Sequence, residues 1–94
     1  MKLIMIIFDA DKEEDIHRIL SDAGVEGFTT WGPVHGKGTH SDPRMGTQIW
    51  PGDNILLMAA VTEETAQRLR ETLSASNETK TGVKVLALSA REWL

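Results

Sequence analysis

The residues best suited to chemistry lie in one short run, His35-Gly36-Lys37-Gly38-Thr39-His40. Two glycines let successive backbone N–H groups curl round an anion, while Lys37 and Thr39 add a positive charge and a hydroxyl. The run is not a nucleotide-binding P-loop. Gly32 and Gly36 are separated by three residues instead of four, Gly38 separates the lysine from the threonine, and no helical pattern follows. Two readings stay open from the residues alone: an anion or nucleotide contact, and a solvated loop. His35, His40 and Asp42 also form a potential ligand set for a divalent metal, since imidazole suits zinc, copper or nickel. The His-x4-His spacing matches no helical or hairpin ligand geometry, and His17 reads as a surface residue at a helix edge.

Bond-breaking chemistry has less support. Ser41 follows His40, but adjacency in sequence is not triad geometry. Asp9 and Asp11 alternate after an apolar run and could hold a divalent ion, although Asp11 is better placed as a helix cap. Glu13-Glu14 and Glu63-Glu64 fall in first turns of helices, where their charge favours the helix macrodipole. No acid, base and oxyanion donor assemble, so the expectation is a protein that is not an enzyme, with no catalytic residues and no required cofactor.

Ninety-four residues suffice for a single domain, here 1–94, with one core and little room for an enclosed site. Ten basic against fourteen acidic residues argue against non-specific nucleic-acid binding. The absence of cysteine excludes disulfides, thiolate metal sites and a cysteine nucleophile. The apolar run 3–8 is far shorter than the roughly 20 residues of a membrane span. It also lacks the features of a signal peptide, so no membrane insertion and a cytoplasmic location are expected.

The elements that must position the candidate residues follow from apolar patterning. Residues 2–8 read as a central strand and 11–23 as a helix, with Asp11 as N-cap, Glu14 three positions on, and Gly24 as its stop. Residues 25–31 have strand composition. The stretch 35–53 is rich in glycine, proline and short polar side chains, with only 47–50 strand-like, and loops of this length are usually functional or disordered. Residues 54–61 restore a strand, and Thr62 caps a second helix with Thr65, Ala66, Leu69 and Leu73 as its inner stripe. A polar connector, 74–82, leads to a last strand at 83–88, and Trp93 lies in the short stretch beyond. Trp31 and Trp50 flank the long loop.

The order strand–helix–strand–strand–helix–strand predicts an α+β fold: a ferredoxin-like βαββαβ sandwich, with an antiparallel sheet and both helices on one face. Strands one, three and four are apolar on both faces, which predicts that the uncovered face packs against further copies of the chain.

Taken together, the opening strand, the helix 14–24, the Val25-Glu26-Gly27-Phe28-Thr29 that follows, Val34-His35-Gly36-Lys37-Gly38 and Val83-Lys84-Val85-Leu86 resemble the PII nitrogen-regulatory family. The glycine run is similar to that family's Val-x-Gly-x-Gly entrance to its long T-loop, here 35–53, and Val83 to Leu86 to the end of its B-loop. The resemblance implies a homotrimer with ligand clefts between neighbours, adenine nucleotides as ligands, and T-loops that engage a partner protein such as a transporter or enzyme. It implies contacts from Gly36, Gly38 and His40, the last where the family usually has glutamine. Lys37 and Thr39 lie beside them, and Lys84 would face the phosphates. The chain has no tyrosine for T-loop modification, its B-loop pattern is reduced, and it stops before the family's arginine-bearing C-terminal segment, whose contacts are expected to be missing. A divergent PII-like regulator of a small anion is therefore expected. The alternative is a metal-binding module using His35, His40 and Asp42, similar to the trimeric divalent-ion tolerance proteins.

Overall fold

A computed structural model gives the fold and describes residues 1–39, 42–49 and 51–94. His40, Ser41 and Trp50 lie outside that set, so the expectations resting on His40 and Trp50 have no structural counterpart here. The elements are β1 (Lys2–Asp9), α1 (Glu13–Asp22), β2 (Thr29–Val34), β3 (Asn54–Val61), α2 (Glu63–Ala75) and β4 (Val83–Ser89). The strands form one antiparallel sheet in the order β2-β3-β1-β4. This is the expected ferredoxin-like arrangement.

Alternation along the strands sorts their side chains between two faces. Ile4, Ile6 and Phe8 of β1 are buried, as are Leu57, Ala59 and Val61 of β3. They form one core with Ile16, Ile19 and Leu20 of α1 and Leu69 and Leu73 of α2, which puts both helices on the same side. The intervening residues point the other way. The register sets Leu3, Met5 and Ile7 beside Ala60, Met58 and Leu56 on one flank and Leu88, Leu86 and Lys84 on the other. Trp31 pairs with Leu56 on the same face. Trp31, Leu86 and Leu88 are all exposed, so within one chain this second face is apolar and uncovered.

Helix 1 begins differently from the expectation. The Asp9 carboxylate accepts the Asp11 N–H at 3.0 Å and caps a 3-10 turn, Ala10–Lys12, before α1 starts at Glu13. Asp11 itself is exposed and does not act as the cap: Asp9, two residues earlier, already holds its N–H. Gly24 ends the helix as expected, with φ +83°. Thr62 caps α2 by accepting the Thr65 N–H at 3.2 Å.

The second strand lies at 29–34, not 25–31, and runs through Pro33. Proline is tolerated because β2 is an edge strand, and the pairing with β3 shifts register between Trp31 and Val34. Residues 47–49 form bends and not a strand; order in the long loop comes from a backbone bridge between Gly36 and Arg44. The polar connector carries a 3-10 turn at Asn77–Thr79.

Candidate functional site

The C-terminal end of β1 is where the chain's polar loops converge. The Asp9 N–H donates to the Gly82 carbonyl at 3.0 Å, fixing the connector before β4, and the Ala10 N–H donates to the Asp53 carbonyl at 3.0 Å, fixing the return of the long loop. Asp9 Oδ2 meets Arg44 Nη1 at 3.1 Å, with the carboxylate mostly buried. Lys12 reaches across the same corner, its Nζ donating to the carbonyls of Glu78 at 2.7 Å and Thr81 at 2.6 Å. A single acid thus caps the turn into α1, pins the loop and touches the connector.

The base of the loop is closed by paired contacts. Gly36 and Arg44 exchange both backbone hydrogen bonds, at 2.9 and 2.7 Å. His35 Nε2 lies 3.0 Å from Asp53 Oδ1. Gly46 sits against this pair with φ +67°, and a Cβ there would stand 2.7 Å from His35 Nε2, so a larger residue would be strained and would have to displace the imidazole.

The expected anion contacts are placed as follows. The Gly36 N–H is taken by the Arg44 carbonyl, so in this conformation it serves the loop's own closure. The Lys37 Nζ lies 3.4 Å from the Gly38 carbonyl, and Lys37 and Thr39 are exposed. Lys84 is exposed on β4 and pairs with Ile7, and its side chain makes no hydrogen bond or ion pair among the described residues. Lys84 and the glycine run therefore share one end of the sheet but lie at its two opposite edges. Three strand spacings separate β2 from β4, roughly 14 Å at about 4.8 Å each. For the metal reading, His35 is engaged with Asp53, Asp42 is exposed, and no group of three or more metal-ligating side chains occurs among the described residues.

Sequence reading missed Lys12, Arg44, Asp53 and the central role of Asp9. Asp9 left a signal, an aspartate two residues before an amide at the end of a strand, which is the pattern of an Asx-turn. Arg44 and Lys12 left none, since their partners lie far away along the chain.

A family model, nitrogen regulatory protein P-II, matches residues 1–92. The chain belongs to the P-II family. Among solved structures, this P-II protein is similar to CPII from Thiomonas intermedia K12 bound to ADP and bicarbonate, with 32% identity, a TM-score of 0.71, and coverage of 93% of this chain and 84% of that one. A CPII structure with ADP, AMP and bicarbonate aligns at 29% identity and TM-score 0.70, over 99% and 94% of the two chains. A protein from Thermus thermophilus described as PII-like and signaling aligns at 25% identity and TM-score 0.68, over 93% and 82%. No curated protein sequence matches. Among its described residues, no helix is long and apolar enough to cross a membrane.

Proposed function

We propose that this P-II protein is a non-catalytic, cytoplasmic regulator that binds an adenine nucleotide, or a related phosphate-bearing anion, between two copies of the chain. Its 35–53 loop then presents occupancy to a partner protein. The observation that carries this reading is the placement of Lys84 and the glycine run at the same end of the sheet on opposite edges. When copies meet edge to edge, the β4 edge of one approaches the β2 edge of the next, and the two halves complete one site. The uncovered apolar face supplies a reason for copies to meet. The ADP- and AMP-bound CPII structures support the ligand class.

Occupancy can alter the loop only through a difference in affinity between its conformations. The Gly36 N–H offers such a difference: it bonds either Arg44 or a ligand oxygen. In this reading ligand binding opens the Gly36–Arg44 bridge, and Arg44 transmits the change to Asp9.

Calorimetric titration with ATP, ADP and AMP tests the proposal. Saturable heat is expected with at least one of them, weakened tenfold or more by Lys84→Ala. No heat and no thermal shift with any adenine nucleotide overturns it.

A further inference from the structure

The helix-covered side of the sheet is incomplete at one edge. By register, Val83, Val85 and Ala87 of β4 share the face of Phe8, Ile6 and Ile4. Those three β1 residues are buried, whereas Val85 remains 40% exposed and Ala87 is also exposed. Helix α2 stops short of β4, and a groove of about 460 Å³ runs between them, floored by Leu69, Leu73, Val85 and Ala87. That volume falls within the range of roughly 300–1,000 Å³ of small-molecule pockets. Arg70 lines the groove, and its side chain has no hydrogen bond or ion pair among the described residues; Lys2 and Glu63 also line it.

The same chain carries a large aromatic that is mostly exposed. Trp93 is 82% exposed, in the sequence Arg91-Glu92-Trp93. Tryptophan is among the residues most enriched as anchors at protein interfaces. We propose that the α2–β4 groove of one copy receives Trp93 of a second copy, with Glu92 facing Arg70 and Arg91 facing Glu63.

The direction of the chain selects a second copy over the chain's own groove. The Ala90 N–H donates to the Met1 carbonyl at 3.1 Å, one step beyond the Lys2–Ser89 pair. Residue 90 therefore still follows β4 out of the sheet, and Trp93, three residues on, is 82% exposed and so does not fill its own chain's groove. Groove and anchor are different surfaces, so the contact is head-to-tail, and it closes into a ring when the rotation between copies permits. The inference concerns the helix side of the sheet and stands apart from the nucleotide reading.

The absence of native cysteine makes a cross-linking test clean. Gln67→Cys places a thiol on the groove wall, and Leu94→Cys places one beside Trp93 while keeping the indole; both positions are exposed. The two single variants, carrying tags of different size, are mixed and mildly oxidised. The expected product is the mixed disulfide-linked dimer, at least tenfold reduced when Trp93→Ala is added to the Leu94→Cys chain. No mixed dimer, or an undiminished yield without the indole, overturns the proposal. So does a Gln67→Cys/Leu94→Cys double variant that closes only within its own chain.

Discussion

Replacing Asp9 with alanine removes two interactions that the structure separates atom by atom. Oδ1 accepts the Asp11 N–H at 3.0 Å, and Oδ2 pairs with Arg44 Nη1 at 3.1 Å. Loss of a capping acceptor costs typically about 1 kcal/mol. The ion pair joins side chains 18% and 32% exposed, which places it near the middle of the ~0.2–1 kcal/mol found for pairs open to water, about 0.5 kcal/mol. Asp9→Ala should therefore destabilise by about 1.5 kcal/mol, a melting shift of roughly 6–12 °C at about 4–8 °C per kcal/mol for a domain of this size. Asp9→Asn keeps a capping oxygen and drops the charge, so about 0.5 kcal/mol should be lost. Arg44→Ala should cost a similar amount in the natural background and almost nothing beside Asp9→Asn, since the pair is then already broken. Urea unfolding of these variants and the Asp9→Asn/Arg44→Ala double variant, all at one fixed concentration, measures each value. Equal destabilisation by Asp9→Asn and Asp9→Ala would show that the cap contributes nothing separable. Additive losses for Asp9→Asn and Arg44→Ala would show that the pair does not hold the loop.

Three further outcomes follow from neighbouring contacts. Lys12→Met keeps the aliphatic stem but removes both bonds from Nζ to the connector; with the freed carbonyls partly hydrated, about 1–2 kcal/mol should be lost. Amide exchange over 77–82 should also quicken, and unchanged exchange there would count against the clamp. Gly46→Ala forces a Cβ to within 2.7 Å of His35 Nε2 at a φ of +67°, so the His35–Asp53 contact should break at a cost of roughly 1–2 kcal/mol, read from the His35 ring nitrogen shifts by NMR. The Glu78 carboxyl is held below its ordinary 4.5, first by the Ser76 hydroxyl that donates to it, then by its own amide, with Arg18 and Lys12 assisting against burial. Its folded pKa is lowered, so its contribution is complete at neutral pH and fades as pH falls below 4.5 through the lowered value. Glu78→Gln should flatten that acid limb, and an unchanged pH profile would contradict the assignment.

What could be read from the sequence depended on whether a residue's environment is set by its neighbours along the chain. Strand β3 and the Thr62 cap were legible because the apolar run 54–61 and the Thr-Glu-Glu start of α2 are local signals. The two-faced apolar strands likewise pointed to the uncovered sheet face. Strand β2 was placed four residues early because it is an exposed edge strand with no inward–outward alternation for a pattern to follow. The sequence points to Asp11 as cap because a capping box is a local motif, while the carboxylate that caps, Asp9, is also held by Arg44, 35 positions on. The candidate site divides in the same way. The glycine run and Lys84 were visible as residue types, but nothing in the sequence places them on opposite edges of one sheet or commits the Gly36 N–H to Arg44.

Under the proposed function, that commitment is what would let the loop report occupancy rather than merely tether two strands. A ligand oxygen that takes the Gly36 N–H must displace the Arg44 carbonyl, and the displacement acts on a residue whose guanidinium is bound to Asp9. Asp9 in turn holds the connector through Gly82, directly before the strand that carries Lys84. Both edges of the sheet are thus mechanically joined inside one chain. A ligand bridging Lys84 of one copy and Gly36 of the next would load the two ends of this linkage in different subunits. Binding at one cleft should then alter affinity at its neighbour, and Asp9→Ala should make the clefts independent. Identical, non-interacting sites in the natural protein would break that chain of reasoning at its first link.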